Sequence, residues 1–129
     1  MRIEHIALWT TNLERLKGFY ETYFGAVAGG RYNNPHNEFT SYFLTFDDGA
    51  RLELMQMPSV PVTLNDPVRQ FTGYVHVAVS VGSEAGVDDL TERLRGDGYL
   101  VVGEPRRTGD GYYESAVLDP DGNRIELTV

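Results

Sequence analysis

The chain has 129 residues, enough for one domain with a sizeable core, and 41% apolar with 23% charged residues is a globular balance. The formal charge of −8, from 11 basic and 19 acidic residues, argues against nucleic acid as the main partner, because only EPRR (104–107) is locally basic. There is no cysteine, hence no disulfide and no thiolate ligand or nucleophile, and no apolar run approaches the ~18 residues of a membrane span.

The opening MRIEHIALW carries an acid and a histidine and reads as a strand. It lacks the apolar core of a signal peptide, so the cytoplasm is the expected compartment. Next comes an amphipathic helix, with Leu13, Leu16, Phe19, Tyr20, Tyr23 and Phe24 at i, i+3, i+4 and i+7. Thr11 and Glu14 have capping-box spacing, and Gly25 suits the stop. RYNNPHNEFT (31–40) reads as a polar loop, with His36 as a solvated loop residue. FDDGARLELMQM (46–57) reads as a turn followed by a strand. The three prolines of PSVPVTLNDPVRQFTG argue against a regular element, so residues 58–72 form a linker.

GYVHVAVSV is a second opening strand. A second helix follows, with stripe Val87, Leu90 and Leu94, cap Ser83, and Gly96 or Gly98 to end it. GDGYYES (109–115) is a turn entering a strand, and LDPDGNRIELTV (118–129) closes the chain with an altered echo of residues 46–57.

The two halves therefore carry the same phrase. His5 and His76 fall at one point of their opening strands, and Glu53 and Glu126 at one point of their closing strands. The expected fold is α+β: two βαβββ modules, 1–57 and 73–129, paired about a pseudo-two-fold axis within a single domain.

Side chains alternate along a strand. Leu52 and Leu54 oppose Arg51, Glu53, Met55 and Met57; Ile125, Leu127 and Val129 oppose Arg124, Glu126 and Thr128. Ile6 and Leu8 oppose His5, Ala7 and Trp9; Val75, Val77 and Val79 oppose Tyr74, His76 and Ala78. One face of each strand can pack against a helix, while the other presents a single His or Glu. Taken singly, a strand histidine is usually just hydrogen-bonded and an outward glutamate just solvated. Two imidazoles and two carboxylates at matched positions instead make a site for one divalent cation with N and O ligands. Zn, Ni, Fe, Mn and Co are all compatible with that donor set.

At HIALWTTNLERLKGFYETYFG, ARLEL, GYVHVAVSV and LDPDGNRIEL the chain resembles the vicinal oxygen chelate superfamily, which contains glyoxalase I. The resemblance runs over essentially the full length. It implies that His5, Glu53, His76 and Glu126 are metal ligands, with Zn or Ni foremost. It also implies a lyase or isomerase acting by proton transfer on a vicinal-oxygen substrate such as a hemithioacetal. The cation would bind the two adjacent oxygens and lower the cost of an enediolate-like charge. Glu126 is the expected base, and Glu53 a ligand and second acid/base. Ring-cleaving dioxygenases of the superfamily use a His, His, Glu triad that matches only His5, His76 and Glu126. Epimerase-like relatives often carry Gln where Glu53 stands, so Glu53 points to glyoxalase-like chemistry.

Trp9 stands where bacterial glyoxalases often have an arginine that helps hold glutathione, which leaves the thiol open. Trp9, Met55 and Tyr74, with Tyr42 and Met57, are candidates to line an apolar pocket, and Arg51 and Arg124 to bind an anionic group. Packing and surface ion pairs are the ordinary alternatives. A non-haem dioxygenase and a metal-free ligand-binding or resistance protein are the competing functions. A homodimer is expected, because modules this short leave apolar sheet surface uncovered.

Overall fold

Apolar residues at every second position of 51–56 and 124–128 make strands with one oily face, and each needs a helix to cover it. The computed structural model describes residues 1–129 and divides them into two units, Met1–Leu64 and Asn65–Val129. Residues 57–75 hold no helix or strand. No helix is long and apolar enough to cross a membrane.

The first unit runs β1 (His5–Trp9), α1 (Leu13–Phe24), β2 (Val27–Ala28), β3 (Tyr32–Asn34), β4 (Phe39–Thr45) and β5 (Arg51–Gln56). Its sheet has the order β1-β5-β4-β2, with β3 also on β4; β1 and β5 are parallel and the other pairs antiparallel. The second runs β6 (His76–Ser80), α2 (Glu84–Gly96), β7 (Val101–Arg107), β8 (Tyr113–Leu118) and β9 (Arg124–Thr128), in the order β6-β9-β8-β7 with β6 parallel to β9. Both units are βαβββ modules whose first and last strands lie side by side. This adjacency positions the candidate site.

Helix α1 packs on β4 and β5, burying Leu13, Leu16, Phe19 and Tyr20 against Leu44, Leu52 and Leu54. Each fully buried leucine contributes about 1.5–3 kcal/mol. The N-cap is Asn12, not Thr11: its side chain accepts from Arg15 N at 3.0 Å. Thr10 Oγ1 accepts the Asn12 N–H at 3.0 Å, and Gln56 Oε1 accepts the Leu13 N–H at 2.8 Å, so neighbouring side chains hold Asn12 in the capping position. Gly25 closes the helix at φ 63°, a left-handed conformation that a Cβ would strain.

Helix α2 packs on β7, β8 and β9. Its stripe differs from the purely apolar one expected. Leu90 is half-buried, while Thr91 is fully buried beside Val87 and Leu94. Thr91 Oγ1 donates to Val87 O at 2.6 Å and lies 2.7 Å from the buried Ser115 Oγ on β8, so two hydroxyls satisfy one another inside an apolar layer. Ser83 caps this helix, accepting from Gly86 N at 3.0 Å, and the helix ends on Gly96.

Residues 31–40 are not wholly loop. Tyr32, Asn33 and Asn34 pair with Ser41, Thr40 and Phe39 across a turn in which Asn34 and Asn37 side chains accept backbone N–H groups. The polar composition that hid this strand reflects an outer ribbon that covers no core. Tyr42 is also displaced from its expected place. It lies on the helix side of β4, where its hydroxyl donates to Glu14 Oε1 at 3.0 Å, because alternation sends Ser41 and Phe43 to the opposite face.

The closing turn of the second unit is held by one carboxylate. Asp119 Oδ1 accepts the N–H groups of Asp121 and Asn123, both at 2.9 Å, and Oδ2 accepts from Asn123 Nδ2 at 2.8 Å. Gly122 takes φ 83° to complete the turn. Strand β9 therefore leaves at a fixed point opposite β8.

Candidate functional site

Parallel pairing of first and last strands decides which side chains meet. In the first sheet His5 is in register with Arg51, and Ala7 with Glu53; in the second His76 is in register with Arg124, and Ala78 with Glu126. Each histidine is thus the diagonal neighbour of a glutamate on the face turned away from the helix. His5 Nε2 lies 3.7 Å from Glu53 Oε2, and His76 Nε2 lies 3.1 Å from Glu126 Oε2. The two carboxylate side chains are only 16% and 23% exposed, while the imidazoles are open at 39% and 38%.

Ligand bonds of about 2.1 Å at octahedral or tetrahedral angles set neighbouring donors roughly 3.0–3.4 Å apart. The His76–Glu126 pair at 3.1 Å falls within that spacing and the His5–Glu53 pair at 3.7 Å lies just outside it, and an imidazole nitrogen beside a carboxylate oxygen suits a borderline divalent ion. Each pair supplies two donors. No group of three or more His, Asp or Glu side chains is gathered to hold a metal ion.

The surroundings of the two pairs differ. Around His5, Glu4 accepts from Arg51 Nε at 2.9 Å and its other oxygen meets His5 Nδ1. The His5 contact, followed by the Arg51 guanidinium, holds the Glu4 carboxyl below its ordinary pKa. The Arg51 guanidinium lies 4.2 Å from the centre of the Phe43 ring, and His5 meets the same ring edge-on at 5.3 Å. Trp9, 42% exposed, contacts Phe39 edge-on at 6.0 Å, and Phe39 contacts Tyr32. Met55 is half-buried on this face, and Met57 is half-buried just beyond β5.

In the second unit, Glu126 and Arg124 line an open groove of about 350 Å³ with Gly103, Glu104, Arg106, Glu114 and Ala116. Glu104 is held by Arg95 at 2.6 Å and Glu114 by Arg106 at 3.4 Å. Tyr74 is fully exposed just ahead of β6.

The structure thus brings His5 to Glu53 and His76 to Glu126, and puts Arg124 and Glu126 in one groove. Arg51 is engaged by Glu4 and Phe43. Sequence reasoning missed Glu4, Phe43 and the groove residues Gly103, Arg106 and Ala116. Overlaying the two halves pairs Phe43 with Ala116, and the strand pairing then shows that they share one register position, opposite Glu53 and Glu126.

Comparison with known proteins agrees with the fold. The family described as Glyoxalase/Bleomycin resistance protein/Dioxygenase superfamily matches residues 2–127. A lactoylglutathione lyase of Haemophilus influenzae is 32% identical over 134 residues, covering 98% of this chain and 91% of its own. A glyoxalase I mutant from Zea mays has a TM-score of 0.78 at 24% identity, over 98% of this chain. This chain spans 44% of the maize chain. A glyoxylase/bleomycin resistance protein/dioxygenase domain from Frankia sp. EAN1pec has a TM-score of 0.81 at 19% identity, covering 100% of this chain and 97% of its own. At those identities the two structures speak for the fold alone. With its two βαβββ modules, the chain belongs to the glyoxalase/bleomycin resistance protein/dioxygenase group, the vicinal oxygen chelate superfamily, and is related to lactoylglutathione lyase.

Proposed function

We propose that the chain is a metal-dependent lyase or isomerase of glyoxalase I type, moving a proton between adjacent carbons of a vicinal-oxygen substrate such as a hemithioacetal. The observation that carries this reading is the repeated His–Glu diagonal, at 3.7 Å in one sheet and 3.1 Å in the other, on faces turned away from the helices. His5, Glu53, His76 and Glu126 would hold the ion, Zn or Ni foremost, with Fe, Mn or Co compatible with the same donors. When bound, the ion supplies Lewis-acid stabilisation of negative charge on the substrate's adjacent oxygens.

The chain's own groups do the rest. Glu126 opens into the groove and takes the proton from carbon, exchanges it with solvent, and delivers a proton to the neighbouring carbon. His76, 3.1 Å away, steadies that carboxylate. Glu53 is the less exposed of the two and serves as ligand and second acid/base. Trp9, Met55 and Tyr74 contribute apolar contact, and Arg124 an anion contact. We include a homodimer in the reading: Ile3, Ile6 and Trp9 leave apolar surface along β1 that a second copy would cover, and two donors per pair leave coordination to be completed.

The test is turnover of a panel of hemithioacetals by metal-supplied protein in deuterated water, with oxygen followed in parallel. Solvent deuterium entering product carbon without oxygen uptake is the expected result. Oxygen uptake coupled to turnover would make the chain a dioxygenase. Ligand binding without any conversion would make it a binding protein.

A further inference from the structure

The two modules place an arginine at the same point, two residues ahead of the site glutamate, yet only one of the two is occupied. Arg51 is braced on both sides: Glu4 takes its guanidinium in an ion pair, and the Phe43 ring lies beneath it. At the matching positions of the second module stand Val75 in place of Glu4 and Ala116 in place of Phe43. Within the ladder of β9 the Arg124 backbone is paired, but its guanidinium makes no ion pair, side-chain hydrogen bond or ring contact within the chain.

The same exchange opens space. Where Phe43 would project, Ala116 faces Gly103, whose missing side chain would meet the Ala116 Cβ at 3.1 Å. These two small residues form the floor of the 350 Å³ groove, and Arg124 lines it beside Glu126. The other carboxylates there are committed, Glu104 to Arg95 and Glu114 to Arg106. An uncompensated guanidinium over a small-residue floor, in a protein of charge −8, is a site for an anion.

We propose that Arg124 is the specificity-determining residue of the groove, selecting substrates that carry a carboxylate near their reacting oxygens. This rests on the glyoxalase-type reading and names the substrate class for it. The planar guanidinium would take the carboxylate in a forked pair of hydrogen bonds, with the acyl or thiol portion lying over Gly103 and Ala116. Arg51 has no corresponding capacity, because Glu4 and Phe43 already fill its surroundings.

The experiment pairs kinetics with binding. Methylglyoxal hemithioacetals of 3-mercaptopropionate, which is anionic, and of 2-mercaptoethanol, which is neutral, are compared on the metal-supplied protein. The unreactive thioethers 3-(methylthio)propionate and 2-(methylthio)ethanol are titrated by NMR on the same protein. The anionic member of each pair should be preferred by about tenfold or more, in KM for the substrates and in Kd for the thioethers. Arg124→Gln should erase the preference, and Arg124→Lys should keep part of it by keeping the charge. Equal treatment of anionic and neutral ligands by the unaltered protein would overturn the proposal, as would a preference that survives in Arg124→Gln. If neither hemithioacetal is converted while thioether binding still depends on Arg124, the glyoxalase reading falls and the anion site stands.

Discussion

His76 Nε2 lies 3.1 Å from Glu126 Oε2, although the two residues are not register partners: Glu126 faces Ala78, and His76 faces Arg124. The contact exists because parallel strands put diagonal neighbours on one face. Glu126→Gln keeps the shape of the site while removing the proton acceptor. The expected result is a loss of about 10²–10⁴-fold in kcat, with a stability change below about 1 kcal/mol, measured by steady-state kinetics and chemical denaturation.

Metal removal is the next measurement. A ligand bound only by the folded state at a hundred times its Kd contributes about 2.7 kcal/mol, so chelation should lower Tm and readdition of Zn or Ni should restore it. His5→Ala and His76→Ala, each deleting a nitrogen donor, should each weaken that metal-dependent rise. An identical rise in both variants would remove these imidazoles from the ligand set.

Glu4 links the first site to acid stability. Its folded pKa is lowered, first by His5 and then by Arg51, so the stability it contributes is present above the ordinary glutamate pKa of about 4.3 and lost as pH falls through the lower folded value. Glu4→Gln should therefore melt below the parent at pH 7, and the gap should close as the pH is taken below about 4. Because Glu4 is on the surface, salt should narrow the gap as well.

The cap and the buried hydroxyl pair make separate stability predictions. Asn12→Ala should cost about 1 kcal/mol, whereas Thr11→Ala, with no capping bond to lose, should cost only a few tenths. Thr91→Val deletes the hydroxyl that meets Ser115 and leaves a buried polar atom without its partner, at a cost of about 1–3 kcal/mol. Urea unfolding of the three variants checks all of these values.

The alternation in RLELM and RIELT made the inward and outward faces legible, because a period of two leaves no choice once the leucines are buried. The repeat made it legible that the same residue types recur at matched points. Other features depend on contacts between residues far apart in the chain. Thr10, Thr11 and Asn12 can all cap a helix, and Asn12 is selected by Thr10 accepting its N–H together with Gln56 reaching Leu13 from the far strand. Thr91 interrupts an apolar stripe and finds its reason in Ser115, 24 residues away. Tyr42 was misplaced because an aromatic residue suits either face of a strand, and its hydroxyl goes to Glu14. Strand β3 was hidden by Asn33 and Asn34, residues that ordinarily mark turns. The unequal fates of Arg51 and Arg124 are written in the residues at 4, 43, 75 and 116, but reading them needs the strand partners first.

The grip of Asp119 on its own turn has a consequence for chemistry. If the β8–β9 hairpin slid by a single residue, Glu126 would rotate into the oily layer under α2 and Leu127 would emerge in its stead. One aspartate, touching no reactant, thereby acts as the proofreader that keeps acid outside and oil inside at the far end of the chain.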